Sequence, residues 1–292
     1  MAFRTEITRR SLLLTGTAVF GQEIVVPKRP AVLDEPPEKP VEFICPMDAD
    51  VRQKGPGKCP RCGMKLVAGL PDAVEYHLDI VAAPKRIQAG KPVKLTFTIS
   101  NPKTGKPVGD FEVVHEKLFH LFILHQNLDL FAHEHPIKTS GPEFTFEYTF
   151  PKPGMYRILA DYYPVGGTPQ LTVKTLFVGD GPGASVPIPA SNTKVQLSLE
   201  PEKPIAGLKT RLYFTLEPHA GLVPWLGAWG HVLVASRDLI DLIHTHPFIA
   251  DGGEKMQFNV IFPRPVPHRV WMQFERQGVV NTSSFDVDVT AL

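Results

Sequence analysis

Residues 120–136 read HLFILHQNLDLFAHEHP, and residues 231–247 read HVLVASRDLIDLIHTHP. Aligning His120 with His231 superposes His133 on His244, His135 on His246 and Pro136 on Pro247. Further on, with one residue inserted, Phe150-Pro151-Lys152-Pro153 meets Phe262-Pro263-Arg264-Pro265 and Arg157 meets Arg269. A repeat of this length means one supersecondary plan used twice. Whatever one unit folds into, the other must fold into as well. In a chain of 292 residues this leaves room for two domains of about 100 residues each and a small segment ahead of them.

The plan is a β plan. Tyr76–Ile80, Val93–Ile99 and Phe144–Phe150 alternate apolar and polar residues, the mark of half-buried strands. Asn101-Pro102, Thr104-Gly105-Lys106-Pro107 and Lys152-Pro153-Gly154 separate them as turns. Val195–Leu199 and Arg211–Leu216 supply the early strands of the second unit. Proline, at 30 of 292 residues, is about twice its usual share of roughly 5% and works against helices. The expected fold class is mainly β: a small Cys-rich knuckle followed by two tandem Ig-like β-sandwiches, residues 74–178 and 194–292, joined by a Gly/Ser/Pro linker over 179–193. Trp225, Trp229 and Trp271 are expected to pack the second core, and His77, His219 and His268 to lie on the surface or in turns.

Lys plus Arg number 31 and Asp plus Glu 30, with no dense basic run, so nothing points to nucleic acid. Arg4, Arg9 and Arg10 precede a short apolar run, Leu12 to Phe20, too short for a bilayer at about 20 residues. Thr8-Arg9-Arg10-Ser11-Leu12-Leu13 resembles a twin-arginine (Tat) export signal, with residues 1–21 as the signal and a periplasmic or extracellular destination. A Sec signal and a cytoplasmic arm are the competing readings. Residues 22–41 hold five prolines and read as a tether. No other stretch is long and apolar enough for a span, so no stable membrane span is expected once the signal is removed.

All three cysteines fall in residues 42–70. Cys59-Pro60-Arg61-Cys62-Gly63-Met64 is a CxxC turn, and Gly55-Pro56-Gly57 marks the hairpin that returns the chain to Cys45. Three sulfurs on a knuckle leave one position for a fourth ligand. A Cys59–Cys62 disulfide with Cys45 free is the competing reading. Met47 and Met64 adjoin the cysteines and would add soft sulfur. The stretch resembles the heavy-metal-binding domain appended to copper-transporting P-type ATPases and to periplasmic adaptors of metal-efflux pumps. Cys45-Pro46-Met47, Gly55–Pro60 and Cys62-Gly63-Met64 carry the resemblance, which implies that Cys45, Cys59 and Cys62 hold a soft ion. The family's histidine two residues after Pro46 is Asp48 here, so Asp48, Met47 or water must replace it.

His133-x-His135 and His244-x-His246 put two imidazoles on one strand face, roughly 7 Å apart at the backbone. Turns at Gln126-Asn127 and Arg237-Asp238 allow His120 and His231 to return beside these pairs. Each unit then offers three nitrogens, suited to copper or zinc. The alternative is that the histidines are corner pieces bonded to main-chain carbonyls. His115 and His125 add donors in the first unit only. A strand-borne histidine followed by HxHP is similar to small exported sandwich domains found beside copper-handling and heavy-metal genes.

No GxSxG, GxxxxGK[ST] or GxGxxG occurs. The expectation is therefore an exported metal-binding protein, not an enzyme. It would buffer or transfer a soft transition metal, copper ahead of zinc, to a metal-efflux or metallochaperone partner. Two rivals stay open: a metal enzyme with an open three-histidine site, and a protein-binding scaffold with metal only in the knuckle.

Overall fold

A computed structural model describes residues 43–45, 47–48, 51–68, 75–165 and 167–292. The signal and tether readings, residues 1–21 and 22–41, lie outside the described residues. The chain is all β; no helix occurs among the described residues. Three short strands, β1 (Phe43–Ile44), β2 (Arg52–Gln53) and β3 (Val67–Ala68), form the knuckle sheet in the order β2-β1-β3.

The first sandwich comprises β4 (His77–Ala83), β5 (Pro92–Ser100), β6 (Phe119–His125), β7 (Phe131–Glu134), β8 (Ile137–Lys138), β9 (Glu143–Thr149), β10 (Gly154–Tyr162) and β11 (Gln170–Val178). Its sheets run β4-β5-β9-β8 and β11-β10-β6-β7. The second comprises β12 (Lys194–Glu200), β13 (Lys209–Glu217), β14 (Leu222–Val223), β15 (His231–Ser236), β16 (Leu242–Thr245), β17 (Lys255–Ile261), β18 (His268–Arg276) and β19 (Val279–Val287). One sheet runs β12-β13-β17. In the other, β16 pairs β15, β15 pairs β18, and β18 also pairs β19 and β14. The chain is thus a knuckle followed by two tandem Ig-like sandwiches.

Strands β6 and β15 position everything that follows. Both are buried along their whole length. Leu121 and Ile123 point into the first core with Phe97, Phe144 and Ile158; Val232 and Val234 point into the second with Phe214, Phe258 and Met272. The opposite faces are buried too, because the sandwiches pack against each other. Phe122, Leu124 and Leu159 of one meet Leu233, Ala235, Leu239 and Trp271 of the other in a separate apolar cluster. A strand covered on both faces needs no polar alternation, which is why these two read as unbroken apolar runs.

Two sequence expectations are corrected here. His268 is neither on the surface nor in a turn: it opens β18, is 1% exposed and packs its ring 4.9 Å from Phe262. His77 and His219 are exposed. Of the three tryptophans only Trp229 packs against the second core. Trp271 stacks on Phe131 of the first sandwich at 5.3 Å, and Trp225 lies 5.4 Å from His133.

Candidate metal centre

In the knuckle, Cys45, Asp48, Cys59 and Cys62 each bring a ligand atom within 4.8 Å of the others. The Cys45 and Cys62 sulfurs are 3.4 Å apart. Asp48 Oδ2 lies 3.4 Å from Cys59 Sγ and 3.7 Å from Cys45 Sγ, and Arg61 holds its other oxygen at 3.1 Å. The fourth position left open by the sequence therefore has a carboxylate beside it. The three thiols are free. A hydrogen bond from Cys62 and the backbone amides of Asp48 and Met47 outweigh burial and lower the Cys45 thiol to about 6, while the hydrogen bond to Cys45 and burial raise Cys62. Burial raises Cys59. Cys45 is thus the thiol most readily ionised, and the other two would release protons on binding an ion. Met64 is buried among the cysteines. Met47 packs against the same cluster but turns its sulfur outward, 3.3 Å from His246 Nδ1 in the second sandwich.

The sheet registers explain the histidines. Strand β6 pairs β7 with Leu121 opposite Glu134 and Phe122 opposite His133. One step further puts His135 opposite His120. Strand β15 pairs β16 with Val232 opposite Thr245, which likewise sets His246 opposite His231. His120, Phe122 and Leu124 alternate onto the face between the sandwiches, and so do His231, Leu233 and Ala235. Both triplets therefore face the inter-sandwich interface.

The distances are short. His120 Nδ1 is 3.1 Å from His133 Nε2 and 3.2 Å from His135 Nε2. His231 Nδ1 is 3.0 Å from His246 Nε2, and His244 completes that set within 4.8 Å. The outward nitrogens decide which inner ones carry lone pairs. His120 Nε2 donates to the Val114 carbonyl at 2.9 Å and His231 Nε2 to the Trp225 carbonyl at 3.0 Å. His133 Nδ1 donates to Gln273 Oε1 at 3.0 Å, with the Gln273 amide turned by its bond to Thr282. His244 Nδ1 donates to Asp161 at 2.7 Å, and His246 Nδ1 faces Met47 Sδ, which can only accept. In neutral rings, His120 Nδ1 and His133 Nε2 are then bare lone pairs facing each other at 3.1 Å, and His231 Nδ1 and His246 Nε2 the same at 3.0 Å. Two lone pairs at that range repel unless a cation sits between them. Two nitrogens of one tetrahedral ion at 2.0–2.1 Å bonds would be about 3.3 Å apart. The buried His244 Nε2 has no hydrogen-bond partner.

Burial, and then the neighbouring imidazoles, keep His133, His231 and His246 neutral near pH 7. His133, His231 and His246 are pushed well below their usual value. Burial lowers His120 to about 4 and His135 to about 3. Asp161 is buried, yet the His244 hydrogen bond and the surrounding imidazoles hold it below the ordinary carboxylate range. His125 stands apart as a corner piece, bonded to Asp129 and to the Pro153 carbonyl.

Asp161 and Gln273 carry no motif and were not singled out by the sequence reading. A signal existed: the alignment that matches Arg157 with Arg269 also matches Asp161 with Gln273. Asp161 pairs with His120 across β10 and β6, and Gln273 with His231 across β18 and β15. Each reaches a histidine of the other sandwich. Gln273→Leu is expected to weaken metal binding at His120, His133 and His135 by about 10–100-fold while leaving the number of sites unchanged, as read by competition against a chromophoric chelator.

The loops ahead of β6 and β15 also match. Val114–Lys117 and Trp225–Ala228 are two-residue turns closed by reciprocal backbone hydrogen bonds. Their central residues, His115 and Glu116 in one and Leu226 and Gly227 in the other, have φ of 47°, 65°, 51° and 70°. His115 thus occupies the place of a leucine. It is 5% exposed, stacks on His246 at 3.7 Å, and neither ring nitrogen makes a hydrogen bond of good geometry. An unsatisfied buried polar group costs about 1–3 kcal/mol. His115→Leu is expected to raise the urea midpoint of the metal-free protein by a corresponding amount; a lowered midpoint would mean that the ring has a partner in solution.

Residues 43–68 match the heavy metal binding domain family. Residues 73–176 and 190–291 each match a domain of unknown function, DUF8832, and the two copies together make up more than half of the chain. The chain belongs to the DUF8832 family. No curated protein matches it. Among solved structures, the chain is similar to InvE, an adhesin of Yersinia pseudotuberculosis, at 12% identity and a TM-score of 0.25 over 73% of this chain. The Escherichia coli adhesin FdeC gives 13% and 0.26 over 77% of this chain and 69% of its own. A two-domain fibronectin type III segment of chicken tenascin gives 11% and 0.23 over 74% of this chain and all of its own. The chain spans 58% of the InvE structure's length.

Proposed function

We propose that this protein is exported to the cell envelope, where it takes up, holds and hands on a soft transition metal, copper ahead of zinc. Heavy-metal binding follows from the knuckle family and its convergent donors. The observation that carries the wider reading is the facing lone pairs within each histidine triplet, held in place by outer acceptors. Corner histidines would bond carbonyls with their outer nitrogens and leave the inner ones nothing to face.

Copper is favoured by the donor set. Three cysteines, Met64 beside them and Met47 against His246 give sulfur at or near two of the three sites, and thiolate and thioether ligands select Cu(I). Met47 stands two residues from Cys45 and touches His246, so it links knuckle to sandwich along one short stretch of chain. Two clefts give access. One of about 420 Å³ lies between Arg61 of the knuckle and His246 with Trp229 and Phe248; the other, of about 400 Å³, reaches His133, Glu134 and Gln273. A metal-efflux or metallochaperone protein is the expected recipient. The twin-arginine pair supports export after folding, with the metal already loaded. Among the described residues no helix is long and apolar enough to cross a membrane.

The test is elemental analysis of the full chain purified from its native compartment, together with variants. Copper is expected in the native protein. Cys59→Ser should remove the knuckle's share, and His133→Ala with His135→Ala the first sandwich's share. Sandwich variants that leave metal content unchanged would reduce the reading to a knuckle with a structural scaffold.

A further inference from the structure

Resting on that reading, we propose that the two histidine triplets form a single bimetallic centre at the inter-sandwich interface, with two copper ions side by side. The spacing carries it. Across the interface His133 lies 5.7 Å from His231, His120 lies 6.2 Å from His244 and 6.4 Å from His231, and His133 lies 6.3 Å from His244, centroid to centroid. Within the triplets the centroids are 4.6–5.9 Å apart, so the gap across the interface is only slightly wider. By distance the six rings are one cluster, while by lone-pair direction they are two sets, each with its own ion position.

The outer contacts are shared between the sets. Gln273, in the row of His231, orients His133; Asp161, in the row of His120, orients His244. Neither set is complete without the other sandwich. Phe122 seals the centre from beneath, 4.2 Å from His133 and 4.7 Å from His244. His115 adds a seventh imidazole, 6.3 Å from His120 and 5.5 Å from His231, so that it stands beside both sets. Its buried nitrogens lack partners, and the sister loop has Leu226 in its place.

Charge suits monovalent ions. Among the described residues Asp161 is the one carboxylate bonded to the six rings, and Lys117 adds a positive charge near His120 and His135. Two divalent ions at this range would repel strongly in a buried setting, and two Cu(I) ions far less. The physiological load is therefore a Cu(I) pair, so the ions are counted as Cu(I) and oxidised in place only to make them visible to magnetic resonance.

The experiment loads the full chain carrying Cys45→Ser, Cys59→Ser and Cys62→Ser with Cu(I) in the absence of oxygen, reads the copper content, and then oxidises the bound copper with ferricyanide, one electron per ion, to record the electron paramagnetic resonance spectrum. In parallel, the unaltered full chain loaded with copper is crystallised and its anomalous scattering mapped, which guards against a variant that misfolds. Two coppers per chain, with a half-field transition or a marked deficit in spin count, and two copper peaks inside the cluster are expected. His133→Ala with His135→Ala should then give one copper and an ordinary isolated signal. Two coppers with full, isolated signals, or a single copper shared by all six rings, would overturn the bimetallic centre while leaving metal binding intact. No copper at the histidines in either preparation would overturn both.

Discussion

The metal-free protein is expected to lose most of its stability between pH 6.5 and pH 4. His115 and His120 are each held at about 4 by burial and by the imidazoles around them, against an ordinary value near 6.5 in the unfolded chain. The folded state therefore binds fewer protons than the unfolded one throughout that window. Stability is at its full value above pH 6.5 and falls as the pH drops towards the folded values. For each of these two groups the loss amounts to about 3 kcal/mol. The losses are not additive, because each ring's charge opposes its neighbours'. His133, His231 and His246 shift in the same direction and steepen the fall. Set against a typical stability of about 5–15 kcal/mol, these losses remove a large share of it by pH 4. Urea midpoints of metal-free protein at several pH values check it. A flat profile would show that water reaches the rings.

Phe122→Ala should be the most damaging single change in the interface. The ring is 1% exposed, sits in the apolar cluster between the sandwiches and stacks on His133. Truncating a buried phenylalanine costs about 3–5 kcal/mol. Here it also frees His133 and His244, which Phe122 contacts from one side. Both effects should appear together: a lower denaturation midpoint and weaker metal binding in both sandwiches. Phe122→Leu keeps most of the volume and should restore the midpoint more than the affinity. A loss of affinity confined to the first sandwich would mean that the triplets behave as independent sites.

The sequence carried the β architecture and the members of each histidine triplet, because both follow from period and repeat. Period two places His133 and His135 on one face, and the repeat ties His120 to His231. The relation between the triplets was not legible in that way. It depends on which second face of β6 and β15 is buried, and Leu121–Leu124 announces only that both are. Asp161 and Gln273 act across the interface, so no local spacing marks them. His268 was misplaced for a related reason: a histidine just after a proline-rich turn looks exposed until β18 is seen to run through the middle of its sheet. In the knuckle, the sequence left Asp48, Met47 or water for the fourth position, and only the fold shows the Asp48 carboxylate beside two sulfurs.

The reciprocity of Asp161 with His244 and Gln273 with His133 has a consequence for origin. It is the pattern of an isologous homodimer, in which residue i meets residue j and j meets i. A single ancestral unit could have built the whole arrangement by self-association, at a strength limited by its own concentration. Fusion of two copies made the partner permanent and released each half to drift: a carboxylate on one side and an amide on the other, an imidazole in one loop and an isobutyl group in its twin. If both proposed positions hold a cation they need no longer be equal in affinity, and a gradient between unequal neighbours would give that cation a preferred direction.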